Sequence, residues 1–190
     1  EVYGNAENGP SKEGDELKPR SPYAASKAGA DRLAFSYWAT YGLPVVITRC
    51  TNNYGPNQYP EKLIPLFVTN ALQNKPMPVY GSGKNTRDWI YVLDHCKAIE
   101  RVMLNERLFA GEIFNIGSGN ELSVLEITDI ILKKLGKPAS LVRHVEDRPG
   151  HVVRHAVNTQ KIREKLGWKP EHDFEENMGT TIGWYQKNEQ

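Results

Sequence analysis

Apolar residues fall along this chain in two rhythms that alternate from one end to the other. Val2-Tyr3 reads as the end of a strand closed by Gly4, and residues 5–20 are polar, charged and broken by Gly and Pro, the composition of a loop. Ser21-Pro22 is an N-cap followed by Pro at the first helical position, so a helix is predicted over 22–41, stopping at Gly42. Residues 43–48 are apolar and β-branched on successive positions, which predicts a strand buried on both faces, as in a parallel sheet. A loop is expected at 52–60, then a helix over 61–74 with Pro65 near its first turn. Strands are predicted at 77–80, 88–92, 112–116 and 141–145. Between them, a helix over 94–105 is expected to be capped by Asp94, and Ser123 with Glu126 forms a capping box for a helix that runs to Leu135 and ends at Gly136. Asn158 is expected to cap a short helix reaching Leu166, and Asp173 with Glu176 the last one. Strands and helices in alternation make the class α/β.

Composition narrows the partners. Among 190 residues, 39 % are hydrophobic and 25 % charged, and the net charge is +1, with Lys and Arg scattered. Such a chain carries no electrostatic footprint for nucleic acid or an acidic membrane. No apolar run approaches the roughly 20 residues that span a bilayer. The two cysteines, Cys50 and Cys96, lack the spacing of a metal site or a disulfide framework. Both are read as buried thiols in a reducing, cytoplasmic setting. The chain opens at Glu1, inside an apolar stretch, and is expected to be a piece of a longer protein.

Tyr23-Ala24-Ala25-Ser26-Lys27 is where chemistry first shows. Spacing of i and i+4 sets a phenol and an ammonium on one helix face. A neighbouring cation favours the phenolate, so a phenol that ordinarily titrates near pH 10 is tuned downward. It can then take a proton from a sugar hydroxyl, and the same Lys can hold the ribose hydroxyls of a nicotinamide cofactor. Y-x-x-x-K by itself is short and common. Here, however, it follows a strand, a loop and a Ser-Pro cap, and precedes a buried strand.

That arrangement resembles the extended short-chain dehydrogenase/reductase superfamily, and Asn52-Asn53-Tyr54-Gly55-Pro56 resembles its loop after the following strand. Further stretches resemble the dTDP-glucose 4,6-dehydratases: Glu1-Val2-Tyr3-Gly4, Tyr59-Pro60-Glu61-Lys62-Leu63-Ile64-Pro65, Pro78-Val79-Tyr80-Gly81 with Arg87-Asp88-Trp89, and Asp147-Arg148-Pro149-Gly150-His151. The resemblance implies catalytic roles for Tyr23, Lys27 and Glu1, with Tyr23, Lys27 and Asn53 at the cofactor, NAD. It implies that Asn52, Glu61, Lys62, Leu63, Pro78, Tyr80, Arg87, Asn115, Arg148 and His151 contact the nucleotide sugar, Tyr80 against the base and both arginines at the pyrophosphate. An Arg beside an Asp is otherwise most often a surface ion-pair partner. His144, His155 and His172 carry no motif and are assigned no role. The implied reaction is a dehydration. Tyr23 takes the C4 hydroxyl proton, Glu1 removes the C5 proton, an acid upstream of Glu1 protonates the leaving hydroxyl, and bound NAD accepts and returns the electron pair. A homodimer through the Tyr23 helix, no metal, and a place in deoxysugar biosynthesis such as the rhamnose pathway are implied as well.

No G-x-G-x-x-G occurs: Gly81-x-Gly83 and Gly117-x-Gly119 lack the third glycine. The chain is therefore expected to be the C-terminal part of its protein and, on its own, to bind NAD poorly and to be inactive. Residues 1–56, with 88–116 returning to them, are expected to close a Rossmann-type parallel sheet. Residues 57–87 and 117–190 should form a smaller, interleaved α/β lobe for the nucleotide sugar. Two enzymes on the same scaffold stay open as alternatives, a UDP-sugar 4-epimerase and a UDP-glucuronate decarboxylase. A non-catalytic nucleotide-sugar-binding module is the third.

Overall fold

A computed structural model describes residues 1–188. Helix α1 spans Pro22–Tyr41, as the punctuation predicted: the Ser21 hydroxyl accepts from the Ala24 amide, and Gly42 closes the helix in the left-handed conformation at φ +67°. Its buried positions are Ala24, Ala28 and Asp31, a narrow small-residue stripe that lets the helix lie close to the sheet. Strand β1 (Ile47–Cys50) pairs in parallel with β5 (Ile113–Ile116).

A second sheet is built on β4 (Thr86–Tyr91). It pairs in parallel with β2 (Asn52–Tyr54) and β8 (Arg154–His155), and antiparallel with β6 (Glu121–Ser123). A third sheet pairs β3 (Met77–Tyr80) with β7 (Val142–Val145) in parallel. Helices α2 (Leu63–Leu72), α3 (Val92–Met103), α4 (Val124–Leu135), α5 (Gln160–Leu166) and α6 (Phe174–Lys187) complete a mixed α/β fold. The capping box of α4 forms as read, with the Ser123 hydroxyl on the Glu126 amide and the Glu126 carboxylate on the Ser123 amide. Asp173 accepts from the Glu176 amide as read, whereas the cap position of α5 is Thr159 and not Asn158, whose Oδ1 accepts from the Gln160 amide one residue further out.

Two hydrophobic cores flank β4, and its pleat serves both. Trp89 and Tyr91 face a core with Phe67 and Val68 of α2, Val79 of β3, Ile127 and Ile131 of α4 and Met178 and Ile182 of α6. Ile90, between them, faces the other, with Ala98 and Val102 of α3, Phe114 and Ile116 of β5, and Ile162, Leu166 and Trp168. Period-2 alternation sends neighbouring residues to opposite faces, which is why one strand can hold two cores together. The segment 160–168, expected in the second lobe, packs on the β5 core.

Several sequence readings are corrected. Val2-Tyr3 is not a strand but part of a turn, in which the Gly4 amide donates to the Glu1 carbonyl. The strand predicted over 43–48 starts only at Ile47. Leu43 and Pro44 are exposed, and along β1 buried Ile47 and Arg49 alternate with half-buried Thr48 and exposed Cys50, so it is not apolar on both faces. The loop predicted at 52–60 contains β2. Asp94 sits in the first turn of α3 and does not cap it; its carboxylate accepts from the Glu171 and His172 amides and from His172 Nδ1 at 2.7 Å, pinning the entry to α6. Both cysteines are exposed, not buried: Cys50 ends β1 where the strand opens into a cleft, and Cys96 lies on the side of α3 opposite Asp94, Ala98 and Val102. Among the described residues, no helix is long and apolar enough to cross a membrane.

Truncating Ile131, fully buried between α4 and its neighbours, to Ala is expected to cost about 3 kcal/mol of unfolding free energy, measured as a shift of the urea midpoint.

Candidate active site

A cleft of about 1060 Å³ opens between α1, the ends of β1, β2 and β4, the start of α2, β3 and the 146–151 loop. Tyr23 and Lys27 reach it from α1, one turn apart, and neither side chain has a hydrogen-bond or ion-pair partner among the described residues. Glu1 lines the same cleft, its Oε1 3.7 Å from Arg87 Nη2. Arg87 is a buried cation at the cleft floor: Nη1 donates to the Thr86 carbonyl at 2.8 Å, and the other side of the fork faces Glu1. Burial pulls its pKa below the ordinary arginine value; the Glu1 carboxylate opposes that shift and Arg148 adds to it.

Opposite α1, Pro78 and Tyr80 line the cleft from alternate positions of β3, which puts both on one face. The Arg148 guanidinium stacks over the Tyr80 ring at 4.9 Å, and its Nη2 lies 3.4 Å from His151 Nε2. His151 Nδ1 in turn pairs with Asp147 Oδ1 at 2.7 Å. That hydrogen bond, helped by one from the Arg148 amide, holds the Asp147 carboxyl below its ordinary pKa. At the rim, Glu61 and Lys62 pair with each other at 2.8 Å, and Leu63 begins α2. Asn52 faces the cleft from β2.

Two expected contacts lie elsewhere. Asn53 is absent from the cleft wall because it follows Asn52 in a strand and so points to the other face. Its amide donates to the Thr51 carbonyl, and its Oδ1 pairs with His95 Nδ1 at 2.9 Å. Asn115 is fully buried in β5, with Oδ1 accepting from the Tyr3 phenol at 2.8 Å and Nδ2 donating to the Ser11 carbonyl at 2.9 Å, so its side chain is held inside the protein and does not reach the cleft.

Asn115 belongs to a network that the sequence did not announce. Arg49 binds Asp31 through Nε at 2.7 Å and Nη2 at 3.0 Å, and its Nη1 donates to the Tyr3 oxygen at 2.6 Å. Burial alone would raise the Asp31 pKa, but the hydrogen bonds from Arg49 and Arg32 outweigh it and hold the carboxyl below the usual range. Burial also raises the Tyr3 phenol, keeping it a neutral donor to Asn115. The network ties α1, β1, β5 and the segment behind Glu1 into one frame. A cation in the run 43–50 was the one signal in the sequence that could have marked it. His155, on the cleft floor beside Asn52, had no signal at all.

Replacing Arg49 by Met is expected to destabilise the protein by about 3 kcal/mol, because buried Asp31 is left with only the half-exposed Arg32 as its cation, while adding Asp31→Leu should recover most of that loss; chemical denaturation measures both. A second expectation concerns acid. Burial pushes the His155 imidazole down to about 3 from an ordinary 6.5, so between those values the unfolded chain binds the proton that the folded protein refuses. Stability must then fall as pH drops below 6.5. Relative to a His155→Gln variant, the parent should lose about 1–2 kcal/mol between pH 7 and pH 5, read from denaturant midpoints at each pH.

Residues 1–181 match the family model described as GDP-mannose 4,6 dehydratase. The chain is 50 % identical over 188 residues to a dTDP-glucose 4,6-dehydratase of Streptomyces niveus, covering 99 % of this chain and 55 % of that protein. It superposes with a TM-score of 0.96 and 50 % identity on the dTDP-glucose 4,6-dehydratase DesIV of Streptomyces venezuelae solved with NAD bound, over 99 % of this chain and 58 % of that one. A UDP-glucuronic acid 4-epimerase from Bacillus cereus, solved with UDP-glucuronic acid and NAD, gives a TM-score of 0.93 at 26 % identity, over 98 % of this chain and 59 % of that one. The chain thus spans little more than half the length of these proteins. With a family model matched from its first residue to Thr181, and with half of its residues shared with sugar-nucleotide dehydratases, the chain belongs to the GDP-mannose 4,6 dehydratase family.

Proposed function

We propose that the protein to which this chain belongs is an NAD-dependent dTDP-glucose 4,6-dehydratase, forming the 4-keto-6-deoxy sugar nucleotide for deoxysugar biosynthesis. The observation that carries the reading is that Tyr23, Lys27 and Glu1 line one cleft together with Arg87 and Arg148. Tyr23 is the base for the C4 hydroxyl and Lys27 the cation that favours its phenolate. Once C4 is a ketone, the C5 hydrogen is acidic, and Glu1 is the carboxylate available to take it.

Arg87 is the residue assigned to a pyrophosphate oxygen, since its guanidinium is buried, lines the cleft and donates only one hydrogen bond among the described residues. Arg148 serves the same group from the loop, Tyr80 lies against the base, and Asn52, Glu61, Lys62, Leu63, Pro78 and His151 complete the substrate wall. The donor set fits the reactive end of NAD: Tyr23 and Lys27 are unpaired on one helix face, and Thr51, whose hydroxyl is buried without a partner, lines the cleft. When bound, NAD supplies the electron-pair acceptor for C4 oxidation and the donor for C6.

We assign residues 1–56 and 88–116 to the nucleotide-binding half, and 57–87 with 117–190 to the sugar-nucleotide lobe, moving 160–168 to the first half because it packs there. The exposed row Leu33, Tyr37 and Tyr41 along α1 supports pairing of two copies through this helix. Two unpaired cysteines favour a reducing cytoplasm.

The test uses the protein as its gene encodes it. Incubated with dTDP-glucose, it is expected to yield a product lighter by one water and carrying a 4-keto group. A product of unchanged mass would make it an epimerase, and loss of carbon dioxide from UDP-glucuronate a decarboxylase. Tyr23→Phe should slow turnover by about 10²–10⁴-fold. Glu1→Gln should retain the C4 oxidation, seen as NADH absorbance, and lose exchange of the C5 hydrogen with deuterated water.

A further inference from the structure

The Arg148 guanidinium and the Tyr80 ring are both assigned to the ligand, yet they are in contact with each other. Arg148 Cζ stands 4.9 Å from the centre of the ring, and both residues line the cleft. A cation over an aromatic face is favourable even where water reaches it. Arg148 is exposed, and among the described residues no carboxylate forms an ion pair with its side chain. The adjacent Asp147 accepts instead from the Arg148 amide at 2.8 Å and from His151 Nδ1 at 2.7 Å. The guanidinium has one polar contact, Nη2 to His151 Nε2 at 3.4 Å, near the outer limit of a hydrogen bond.

Arg87, on the cleft floor, is a second cation. Burial is the main cause of its lowered pKa, and Arg148 is near enough to add to the shift, as like charges do. Repulsion keeps Arg148 from approaching Arg87 more closely. An anion between the two guanidinium groups reverses that, since each then gains a charge-assisted hydrogen bond. The backbone beneath Arg148 is held meanwhile. The His151 amide donates to the Arg148 carbonyl at 3.2 Å, and Gly150, in the left-handed region at φ +71°, lies so near the Arg20 carbonyl that an added Cβ would stand 2.9 Å from it. A change of partner by Arg148 is therefore a rotamer change of one exposed side chain, which is fast, and needs no movement of the loop.

We propose that Arg148 and the nucleobase occupy the same face of the Tyr80 ring in turn: a nucleoside diphosphate brings an anion that draws Arg148 off the ring, and the base takes the face it leaves. The proposal rests on the reading that gives the base to Tyr80 and the pyrophosphate to the two arginines. It couples the two ends of the ligand. A nucleoside without phosphate has to displace the guanidinium and offers it no new partner, so the site discriminates against it before any contact to the sugar is made.

Titration of the full gene product with thymidine and with dTDP, followed by calorimetry or ligand NMR, tests the exchange. Arg148→Ala uncovers the ring and removes the phosphate contact, so the two ligands are expected to respond in opposite directions. Thymidine should bind about two- to fivefold tighter, the worth of an exposed cation over a ring, and dTDP about tenfold weaker. In a Tyr80→Leu background, which lacks the shared face, adding Arg148→Ala should leave thymidine affinity unchanged and still weaken dTDP. Both side chains are exposed, so the variants are expected to fold. Weaker thymidine binding by Arg148→Ala would mean that base and guanidinium hold opposite faces of the ring together, and unchanged binding that they never compete; either result overturns the proposal. A parent that binds dTDP but forms no keto product from dTDP-glucose would sink the dehydratase reading and leave the exchange standing. One that binds no nucleoside diphosphate would sink both.

Discussion

The buried ion pair of Arg49 and Asp31 is what the site's geometry depends on. Asp31 is held by Arg49 and, from its own helix, by Arg32, and the spare donor of Arg49 reaches Tyr3, whose phenol reaches Asn115. Four separate pieces of chain meet in that set: the helix carrying Tyr23 and Lys27, the strand ending at the cleft, its parallel partner, and the turn that presents Glu1. A buried pair of this kind contributes little net stability compared with apolar packing, but breaking it is costly. Its effect is to leave these elements one relative arrangement.

The second constraint is β4. It carries Arg87 to the cleft floor, sends Trp89 and Tyr91 to one core and Ile90 to the other, and holds Asp88, whose carboxylate accepts from the Ser118 and Gly119 amides and the Ser118 hydroxyl. The polar floor of the cleft is thus embedded between two packed cores. Interiors of that density deform little, so the cations and carboxylate of the cleft are held by rigid elements on three sides. The 146–151 loop, which supplies Arg148 and His151, is held by polar contacts instead: Asp147 to His151, and Arg148 to the Tyr80 ring.

Charge in the cleft is arranged in layers. Arg87 at the floor is desolvated and faces Glu1, Arg148 is exposed at the rim, and Lys27 lies on the facing helix. His155, next to Arg87, stays neutral through burial. The result is a cleft with cations placed for an anionic ligand, the Glu1 carboxylate set among them and Glu61 at the rim.

Much of this was legible in the residues. Ser21, Pro22 and Gly42 bound α1 because capping and left-handed closure are local chemistry, and the Ser123–Glu126 box is equally local. Glu1, Tyr23, Lys27, Asn52, Glu61, Lys62, Leu63, Pro78, Tyr80, Arg87, Arg148 and His151 could be singled out by motif, and all of them line the cleft. That Asn53 and Asn115 face away from this cleft could not be read in advance, since which face a short strand presents is settled by its partners: β2 exists only because β4 is alongside, and Asn115 turns inward because Tyr3 and Ser11 receive it. Asp94 looked like a cap, but the amides it serves belong to a loop that arrives from far along the chain. What the sequence by itself determined was where helices begin and end and which side chains carry chemistry, because those depend on contacts within a few residues. Only the tertiary structure decided that Arg49, Asp31 and Tyr3 share one buried network and that His155 stands beside Arg87. Those pairings join positions far apart in the chain, and burial, which sets their charges and hydrogen bonds, exists only once the strands have met.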